Sequence, residues 1–484
     1  MTEKMLDSNL RSWEDGERAA EAMVPIIGSL YRDKSVETSV FGRLVVKRTV
    51  NEILKAHDFA ESIDQSQLSP VDTLAALEVL NSLPLAPSHI DVGKLMVSFL
   101  TSGNGQSLSD FLTQQLAGAL TSEAAEKGQQ KGVVLYGFGR IGRLLARLLC
   151  DGTGSGMGIR LRAIVVRQGQ GDDLEKRANL LRQDSVHGSF KGVVKVDREN
   201  NALIINGQCV HVIYSNSPDK VDYSSYGIEN AVIVDNTGIW RDQEGLSLHL
   251  KSKGAAQVLL TAPAKGDLKN IVHGINNYMI SEDDTILSAA SCTTNAITPI
   301  LKAMGDKFGI IDGHVETIHS YTNDQNLIDN YHKGDRRGRA AALNMVLTET
   351  GAAKAVAKAL PEMAGKLTGN SVRVPTPNVS IAILSLNLGT ATNKEEINEH
   401  MRHMALHSNL QKQIDYSNSP EAVSSDFVGS RSAGIFDSLA TISNDKRCIL
   451  YVWYDNEFGY ACQVVRILRQ ITNATLPVYP GENT

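Results

Sequence analysis

Hydrophobic and polar positions divide the chain into a helical first part and an alternating second part. In the first 130 residues, apolar side chains recur at helical spacing and predict four helices, over residues 19–31, 44–59, 71–83 and 107–120. After residue 130, short apolar runs typical of strands alternate with amphipathic segments; the clearest runs are 132–136, 159–166, 231–235 and 257–260. This alternation predicts an α/β fold with a parallel, doubly wound sheet.

A glycine-rich turn separates the first of these strands from the helix after it. Residues 137–142 read GFGRIG, with glycines at Gly137, Gly139 and Gly142. The first glycine permits the tight turn, the second lets the backbone approach a pyrophosphate, and the third lets the helix pack close to the strand. Between a strand and a helix, this spacing favours a dinucleotide site over a tight turn that binds nothing.

The pattern changes again after residue 290, where strands become longer, as in residues 379–388. We therefore expect a mostly helical N-terminal extension over residues 1–130 and a Rossmann-type NAD(P)-binding domain over residues 131–290. An α+β catalytic domain is expected over residues 291–455. A polar and charged linker is expected around residues 121–131.

Composition and charge exclude several classes of protein. The chain has 484 residues, 42% hydrophobic and 21% charged, which is typical of a soluble globular protein. Its formal net charge of -6 gives no reason to expect nucleic acid or an anionic membrane as a partner. The five cysteines form no CxxC pair, so we expect no metal site and no disulfide framework, as in a reducing cytoplasm. The first 20 residues lack the apolar core of a secretory signal.

The end of the second predicted strand bears on the choice of cofactor. NAD-selective folds usually carry an acidic residue there, which binds the ribose 2′-hydroxyl. This strand instead ends in Val166-Arg167-Gln168-Gly169. Arg167 can pair with a 2′-phosphate, so NADP is plausible beside NAD. Two alternatives stay open: Arg167 points into solvent, or Asp172 or Asp173 folds back to accept the 2′-hydroxyl.

A candidate nucleophile lies in Ser291-Cys292-Thr293-Thr294-Asn295. An apolar run over residues 285–290 predicts a strand before it, and the hydroxyl residues are suited to opening a helix after it. We expect the helix N-terminus to lower the pKa of the Cys292 thiol, whereas the plain alternative is a buried, unreactive cysteine. His319, near the end of a strand predicted over residues 313–318, is a candidate base, although a lone histidine is more often structural.

Several longer motifs resemble phosphorylating glyceraldehyde-3-phosphate dehydrogenase. They are the Cys292 motif, HSYTNDQ at 319–325, TGAAKAV at 350–356, KLTG at 366–369, RVPTPNVS at 373–380 and WYDNE at 453–457. The resemblance runs from about residue 131 to the C-terminus, and it leaves residues 1–130 uncovered. It implies an oxidoreductase that converts glyceraldehyde 3-phosphate, phosphate and NAD(P)+ to 1,3-bisphosphoglycerate and NAD(P)H, in glycolysis or gluconeogenesis. It also implies that residues 456–484 return a helix to complete the nucleotide-binding domain.

The resemblance assigns roles residue by residue. It implies that Cys292 is the nucleophile and His319 the acid–base group. The implied binding sites for the phosphate ester and for inorganic phosphate comprise Ser291, Thr293, Thr322, Thr350, Gly351 and Arg373. The implied cofactor contacts, together with Arg167 from the strand-end argument, are Gly137, Gly139, Arg140, Ile141, Gly142, Thr237, Thr261, Asn456 and Tyr460.

The basic run at residues 333–339 matches a loop that crosses a subunit interface in this family, which implies a homotetramer. Two features depart from common members. Asn330-Tyr331 replaces a small or proline-containing pair in that loop. In the family, the loop helps to select NAD over NADP. Ala296 replaces a second cysteine, which removes an oxidation partner of Cys292.

Two rival functions remain at this point. The first is oxidation of erythrose 4-phosphate, with water as the acyl acceptor in place of phosphate. Thr322, Thr350, Gly351 and Arg373 favour the triose phosphate instead. The second is a regulatory or assembly protein that works through residues 1–130; an intact Cys292 and His319 argue against an inactive enzyme.

Overall fold

The computed structural model describes residues 3–64, 68–103, 105–121, 131–152 and 159–481. The chain forms two units. The first comprises residues 1–130, 152–158 and 474–484, and the second comprises residues 131–151 and 159–473. Most of the predicted linker, residues 122–130, lies outside the described residues.

The first unit confirms the mostly helical prediction and adds a small sheet. Helices α1, α2, α3 and α5 correspond to the four predicted segments, while α4 and all the strands were not predicted. The elements are α1 (Glu3–Lys34), β1 (Val36–Val40), β2 (Arg43–Leu44), α2 (Val50–Asp64), α3 (Pro70–Ser82), β3 (Ser88–Asp91), α4 (Val92–Ser102) and α5 (Leu108–Gln115).

Capping residues fix where these helices begin. The side chain of Ser69 accepts a hydrogen bond from the backbone N–H of Asp72, and the backbone N–H of Ser69 donates one to the Asp72 carboxylate, so a capping box opens α3. At the start of α5, the side chain of Ser107 accepts a hydrogen bond from the N–H of Asp110. The sequence could place these starts because a capping residue is a local signal.

The C-terminus of the chain supplies one strand of the sheet in the first unit. The strand order is β2, β1, β3 and then Val478–Tyr479, which pairs in parallel with His89 and Ile90. The expectation that all of residues 456–484 complete the nucleotide-binding domain is therefore wrong at its end. Residues 474–484 belong to the first unit.

The second unit begins with an eight-stranded sheet whose order is β11, β10, β9, β4, β5, β8, β7, β6. The pairs from β11 through β8 are parallel, and β6 and β7 add an antiparallel edge. The elements are β4 (Lys131–Tyr136), α6 (Arg140–Asp151), β5 (Ile159–Val166), α7 (Asp173–Arg182), β6 (Val194–Asp197), β7 (Ala202–Ile205), β8 (Gln208–Tyr214), β9 (Ala231–Asp235), α8 (Gln243–Ser247), β10 (Ala255–Leu260) and β11 (Ile286–Ser288).

The chain reverses its direction across this sheet at β4. From β4 it moves outward through β5 to β8, and it then returns to the other side of β4 as β9. Ligands of open α/β sheets bind outside the carboxyl ends of the strands at such a switch point. The doubly wound sheet predicted from the sequence is confirmed, and its crevice lies at the turns after β4 and β9.

A second, mostly antiparallel sheet has the order β13, β14, β12, β15, β19, β17, β16, with β18 paired to β19. The elements are α9 (Cys292–Phe308), β12 (Ile310–Ser320), β13 (Val346–Thr348), α10 (Ala352–Ala359), β14 (Leu367–Val374), β15 (Ser380–Leu388), α11 (Lys394–His407), β16 (Ile414–Ser417), β17 (Gly434–Asp437), β18 (Ile442–Asn444), β19 (Arg447–Tyr454), α12 (Phe458–Ile471) and finally β20 (Val478–Tyr479).

Helix α9 packs on this second sheet and carries the candidate nucleophile at its first residue. Its buried face includes Ile297, Ile300 and Met304, which join one core cluster with Leu384 and Leu450 of the sheet. The partly buried Cys292 packs against the same cluster. Such burial anchors the helix, and thereby the thiol, against the strands that carry the other candidate residues.

Within the described ranges, no helix has the length and apolar character needed to cross a membrane.

Candidate active site

The thiol of Cys292 is placed by a sharp turn in the backbone. Ala290 has a left-handed φ of 54°, an uncommon conformation for a residue with a side chain. Ser291 then caps α9 by accepting a hydrogen bond of 3.1 Å from the backbone N–H of Thr294. Cys292 is the first residue of this 17-residue helix, as the hydroxyl pattern predicted.

His319 lies next to this thiol. Its Nε2 is 3.5 Å from the Sγ of Cys292, and the imidazole is 6% exposed. His319 is the penultimate residue of β12 and pairs in register with Arg373 on the parallel strand β14. Three segments that are distant in sequence, α9, β12 and β14, thus place a thiol, an imidazole and a guanidinium together, which single-sequence patterns could only suggest.

Burial dominates the electrostatics of the pair. It raises the pKa of the Cys292 thiol above its ordinary value, and the charge of Arg373 and hydrogen bonds at Thr293 oppose this only in part. The N–H groups at the helix N-terminus lower the thiol pKa as expected, but the loss of hydration outweighs them, so the net shift is opposite to the expectation. Burial, followed by the charge of Arg373, lowers the pKa of His319 to about 3.

Tyr454 contacts both His319 and the residue after Cys292, and the sequence reasoning did not identify it. Its ring meets that of His319 edge-on, with centroids 6.0 Å apart. Its hydroxyl lies 3.0 Å from the Oγ1 of Thr293. Tyr454 is fully buried on β19 and stands within the WYDNE motif, so the motif was the available signal.

The predicted anion-binding residues lie on or near strands β12, β13 and β14 and at the start of α10. Pairing of β13 with β14 brings the loop carrying Thr350 beside β14, where Thr350 Cγ2 lies 3.4 Å from the position a Cβ on Gly369 would take. Gly351 caps α10 and faces open space. Thr322 lies two residues after the end of β12. Their binding of phosphate stays a prediction, as it does for Ser291 and Thr293.

The glycine-rich turn fits a dinucleotide. Gly137 has a φ of +96°, which an L side chain rarely adopts. A Cβ on Gly142 would lie 2.4 Å from the carbonyl oxygen of Gly137, whereas a Cβ on Gly139 would meet nothing within 4 Å. The turn is therefore closed toward the sheet and open on its outer side, as an approaching pyrophosphate requires.

The turns after β9 and β10 lie at the same edge of the sheet. Thr237 approaches the Gly137 turn, and its Oγ1 donates a 2.7 Å hydrogen bond to Asp235. Thr261 Oγ1 donates to the carbonyl oxygen of Asp235 at 3.0 Å. Tyr460, on α12, is buried and donates through its hydroxyl to the carbonyl oxygen of Ala290 at 3.0 Å. Their contacts with a cofactor, like that of Ile141, stay predictions.

The acidic residues near Arg167 are held by other partners. Asp172 caps α7 through the N–H of Glu175 and pairs with Arg198 at 2.8 Å. Asp173 pairs with Arg177 at 2.7 Å. Arg167 is exposed at the end of β5. The Asp173 carboxylate nevertheless lies at the strand end, because a Cβ on Gly169 would overlap with it and its partner Arg177 donates a 2.8 Å hydrogen bond to the carbonyl oxygen of Arg167. The alternative that Asp173 accepts a 2′-hydroxyl therefore stays open.

A charged network that the sequence did not reveal links the glycine-rich turn to the segment before α12. Arg140 pairs with Glu457 and, at 2.5 Å, with Asp184. His187 Nε2 lies 3.1 Å from the Oδ2 of Asp455. Because the guanidinium of Arg140 is bound to these carboxylates, we expect the predicted cofactor contact of Arg140 to be made by its backbone. No local pattern could reveal it, since Asp184 is 44 positions from Arg140.

Asn456 lies between two members of this network. Its Oδ1 accepts a hydrogen bond of 2.9 Å from the hydroxyl of Ser380, which orients the amide. Asp455, just before it, accepts hydrogen bonds from the N–H groups of Glu457 and Phe458. The network therefore holds the residue predicted to contact the nicotinamide carboxamide.

The loop between β12 and β13 exposes an unusual amount of apolar surface. Two ion pairs, Arg337 with Asp324 and Arg339 with Asp329, tie the predicted basic run to the loop itself. Five large apolar side chains are 72–90% exposed: Leu327, Ile328, Tyr331, Leu343 and Met345. Such a patch is typical of an interaction surface.

Comparisons with known proteins agree with the site. Residues 131–243 match the family model of the glyceraldehyde 3-phosphate dehydrogenase NAD binding domain, and residues 291–456 match that of the C-terminal domain. The chain is 40% identical to chloroplastic glyceraldehyde-3-phosphate dehydrogenase GAPA1 of Arabidopsis thaliana, over 70% of this chain and 83% of the relative. It is 38% identical to glyceraldehyde-3-phosphate dehydrogenase 1 of Bacillus subtilis, over 71% and 99%.

A third relative also includes the N-terminal unit. A glyceraldehyde-3-phosphate dehydrogenase-like protein of Pseudomonas aeruginosa is 59% identical over 460 residues, which is 95% of this chain and 100% of the relative. An alignment of that length reaches well into residues 1–130. The N-terminal unit is thus shared with at least one relative.

Proposed function

The chain belongs to the glyceraldehyde-3-phosphate dehydrogenase family of oxidoreductases, and from that premise we propose that it oxidises glyceraldehyde 3-phosphate. The products would be 1,3-bisphosphoglycerate and NAD(P)H, with inorganic phosphate as the acyl acceptor. The observation that carries the proposal is the 3.5 Å separation of Cys292 Sγ and His319 Nε2 beside Arg373. A nucleophile within reach of a base is the arrangement that covalent catalysis needs.

In the proposed mechanism, Cys292 loses its proton to His319 Nε2 as Sγ attacks the aldehyde carbon. The backbone N–H of Cys292 and the protonated imidazole stabilise the oxygen on which charge develops. The turn 137–142 would hold NAD(P), which would accept the hydride of the substrate carbon. Inorganic phosphate then attacks the thioester carbon and Cys292 leaves as thiolate, which restores the enzyme. His319 returns the proton to the thiolate or to solvent.

Arg373 and the hydroxyl groups of Thr322 and Thr350 would bind the phosphate ester and the attacking phosphate. Arginine suits this role because its planar fork donates two parallel hydrogen bonds to phosphate oxygens. Steady-state kinetics with glyceraldehyde 3-phosphate and erythrose 4-phosphate, each with and without inorganic phosphate, tests this assignment. We expect turnover of the triose to require phosphate. Phosphate-independent turnover that favours erythrose 4-phosphate would instead support the rival substrate.

For the cofactor, we propose that NADP is used at least as efficiently as NAD. The carboxylates of Asp172 and Asp173 are both neutralised by arginines, and Arg167 is an exposed charged side chain at the end of β5. Arg167→Asp should shift the ratio of kcat/KM values toward NAD, because the change removes attraction for a 2′-phosphate and adds repulsion.

A matched control for this substitution is Arg160→Asp. Arg160 is also exposed on β5, but it lies at the amino end of that strand, away from the carboxyl-end crevice. Arg160→Asp should leave the ratio of the kcat/KM values for NADP and NAD unchanged. A strong NAD preference that neither substitution alters would show that Arg167 is a surface residue without a role in selection.

We also propose a cytoplasmic homotetramer that acts in glycolysis or gluconeogenesis. The exposed apolar side chains of the loop between β12 and β13 support the assembly, because burying them between subunits removes them from water. Light scattering should give four times the chain mass of 52.5 kDa. Leu327→Asp with Leu343→Asp should lower that mass, and kinetics in both directions would indicate the pathway.

A further inference from the structure

Two histidines lie side by side on the outer face of α11. His403 and His407 are four residues apart within this helix, which spans Lys394–His407. Side chains at that spacing lie one above the other on the same face of a helix. The two imidazole rings are neighbours, with centroids 5.6 Å apart and planes inclined by 41°. Spacing and ring contact therefore both place two nitrogen ligands together.

This pair of rings lies on the side of α11 opposite the core. The buried residues Ile397, Met401 and Ala405 form the inner face of the helix and share a core cluster with the buried face of α9. His403 and His407 each follow one of these positions by two residues, which is about 200° around a helix with 3.6 residues per turn. His403 is exposed and His407 is partly buried, so an ion in solvent has access to the pair.

Imidazole pairs at this spacing chelate transition-metal ions. The same spacing supplies the two zinc-binding histidines of the helical HExxH motif. With Zn–N distances of about 2.0–2.1 Å, two imidazoles on one tetrahedral ion have centroids roughly 5 Å apart. The observed separation of 5.6 Å is close to that value, so a small rotation of the side chains suffices. Nitrogen donors favour zinc, copper and nickel over magnesium and calcium.

We propose that His403 and His407 together bind one zinc ion. No cluster of three or more possible metal ligands occurs among the described residues, so water completes the coordination and the ion exchanges readily. Glu399, one turn earlier on the same face, pairs with Arg402 at 2.9 Å and is not counted as a ligand. The expectation of no metal site was drawn from the cysteines, and it did not consider this histidine pair.

The position of the pair on the helix also favours a cation. His407 is the last residue of α11, and positive charge near a helix C-terminus interacts favourably with the backbone dipoles. An ion that bridges the last turn binds only the helical form, so zinc should stabilise the second unit against unfolding. His400 is not a third ligand, because its Nε2 lies 2.9 Å from the carbonyl oxygen of Ala303 and joins α11 to α9.

Isothermal titration calorimetry of the full chain with zinc chloride measures this site. The titration uses a Cys292→Ser background, because the thiol and imidazole of the active site are themselves zinc ligands. We expect one ion per chain at micromolar zinc. His403→Gln and His407→Gln should each weaken binding by about 100-fold, the lower end of the gain from linking two ligands in one molecule. His314→Gln is the matched control, since it removes an exposed histidine of β12 and should change nothing.

Electron paramagnetic resonance with copper(II) gives a second readout, which counts the ligands. Copper(II) binds the same nitrogen donors, and its spectrum is split by each coordinated imidazole nitrogen. We expect two such nitrogens in the Cys292→Ser protein and at most one in either glutamine variant. Zinc affinity that both glutamine variants retain, or an equal loss in His314→Gln, would overturn the proposal. Binding at millimolar zinc only would do the same, because it would indicate an adventitious ion only.

Discussion

Replacing Asp184 with asparagine should destabilise the second unit in a way that depends on pH. The Asp184 carboxylate is 5% exposed and lies 2.5 Å from Nη1 of Arg140. Its other oxygen accepts hydrogen bonds from the backbone N–H groups of Val186 and His187, at 3.0 and 2.9 Å. Burial alone would raise the pKa of Asp184, but those N–H groups and Arg140 outweigh it and lower the pKa to about 2.

The magnitude follows from that pKa. A fall from the ordinary value near 3.8 to about 2 corresponds to about 2 kcal/mol of stability at neutral pH. Arg140 is 27% exposed, so solvent screening reduces the charge contribution, and we expect Asp184→Asn to cost about 1–2 kcal/mol. Since the folded pKa lies below the unfolded one, the stabilisation is fully present above about pH 5. It is lost as the pH falls toward 2.

Urea unfolding followed by tryptophan fluorescence at pH 7, 5, 4 and 3 measures this difference. Trp13→Phe is the suitable background, because Trp13 is half-exposed in the first unit while Trp240 and Trp453 report on the second. The difference in the free energy of unfolding between the background protein and its Asp184→Asn derivative should be constant from pH 7 to 5 and should decrease below pH 4.

Asp172→Asn is the matched control for this measurement. Its carboxylate is exposed and pairs with an exposed Arg198, so its removal should change stability little at any pH. If the difference in the free energy of unfolding for Asp184→Asn stayed constant down to pH 3, it would contradict the reasoning. The lost stability would then come from packing and not from charge.

Three further substitutions test the catalytic assignments. Cys292→Ser should abolish oxidation of glyceraldehyde 3-phosphate, because a hydroxyl has no comparable anion; near-normal turnover in a folded variant would refute the thioester route. His319→Asn should bind cofactor normally but lower kcat by about 10²–10⁴, and an unchanged rate and pH profile would remove His319 from the mechanism. Arg373→Leu should reduce kcat/KM for the phosphorylated aldehyde far more than for unphosphorylated glyceraldehyde, whereas equal losses would mark Arg373 as structural.

The second unit was predictable because its signals are local. Gly137, Gly139 and Gly142 mark a strand-to-helix turn by their spacing alone, and the neighbouring strands are short apolar runs. Ser291 predicts the start of α9, because serine is a favoured residue at the N-cap of a helix. What a single sequence could not provide is the meeting of distant side chains, such as Arg140 with Asp184, because the pairing depends on the finished fold.

The small sheet of the first unit was missed for a different reason. Strands β1 and β3 are buried along their whole length, yet they contain Glu37, Ser39, His89 and Asp91. These polar residues are paired across the strands: Ser39 donates to Asp91 at 3.0 Å and contacts His89 at 3.0 Å. Hydrogen bonding makes their burial tolerable, but it erases the apolar run by which a buried strand is recognised.

The thiol of Cys292 shows the same limit at the active site. Its position at a helix N-terminus is visible in the sequence, and that position alone favours the thiolate. How far the sulfur is removed from water is not visible, and burial raises its pKa. Burial likewise lowers the pKa of His319, to about 3. The pKa of each group is therefore set by the finished fold, which buries the two side chains 3.5 Å apart, and no local pattern encodes that burial.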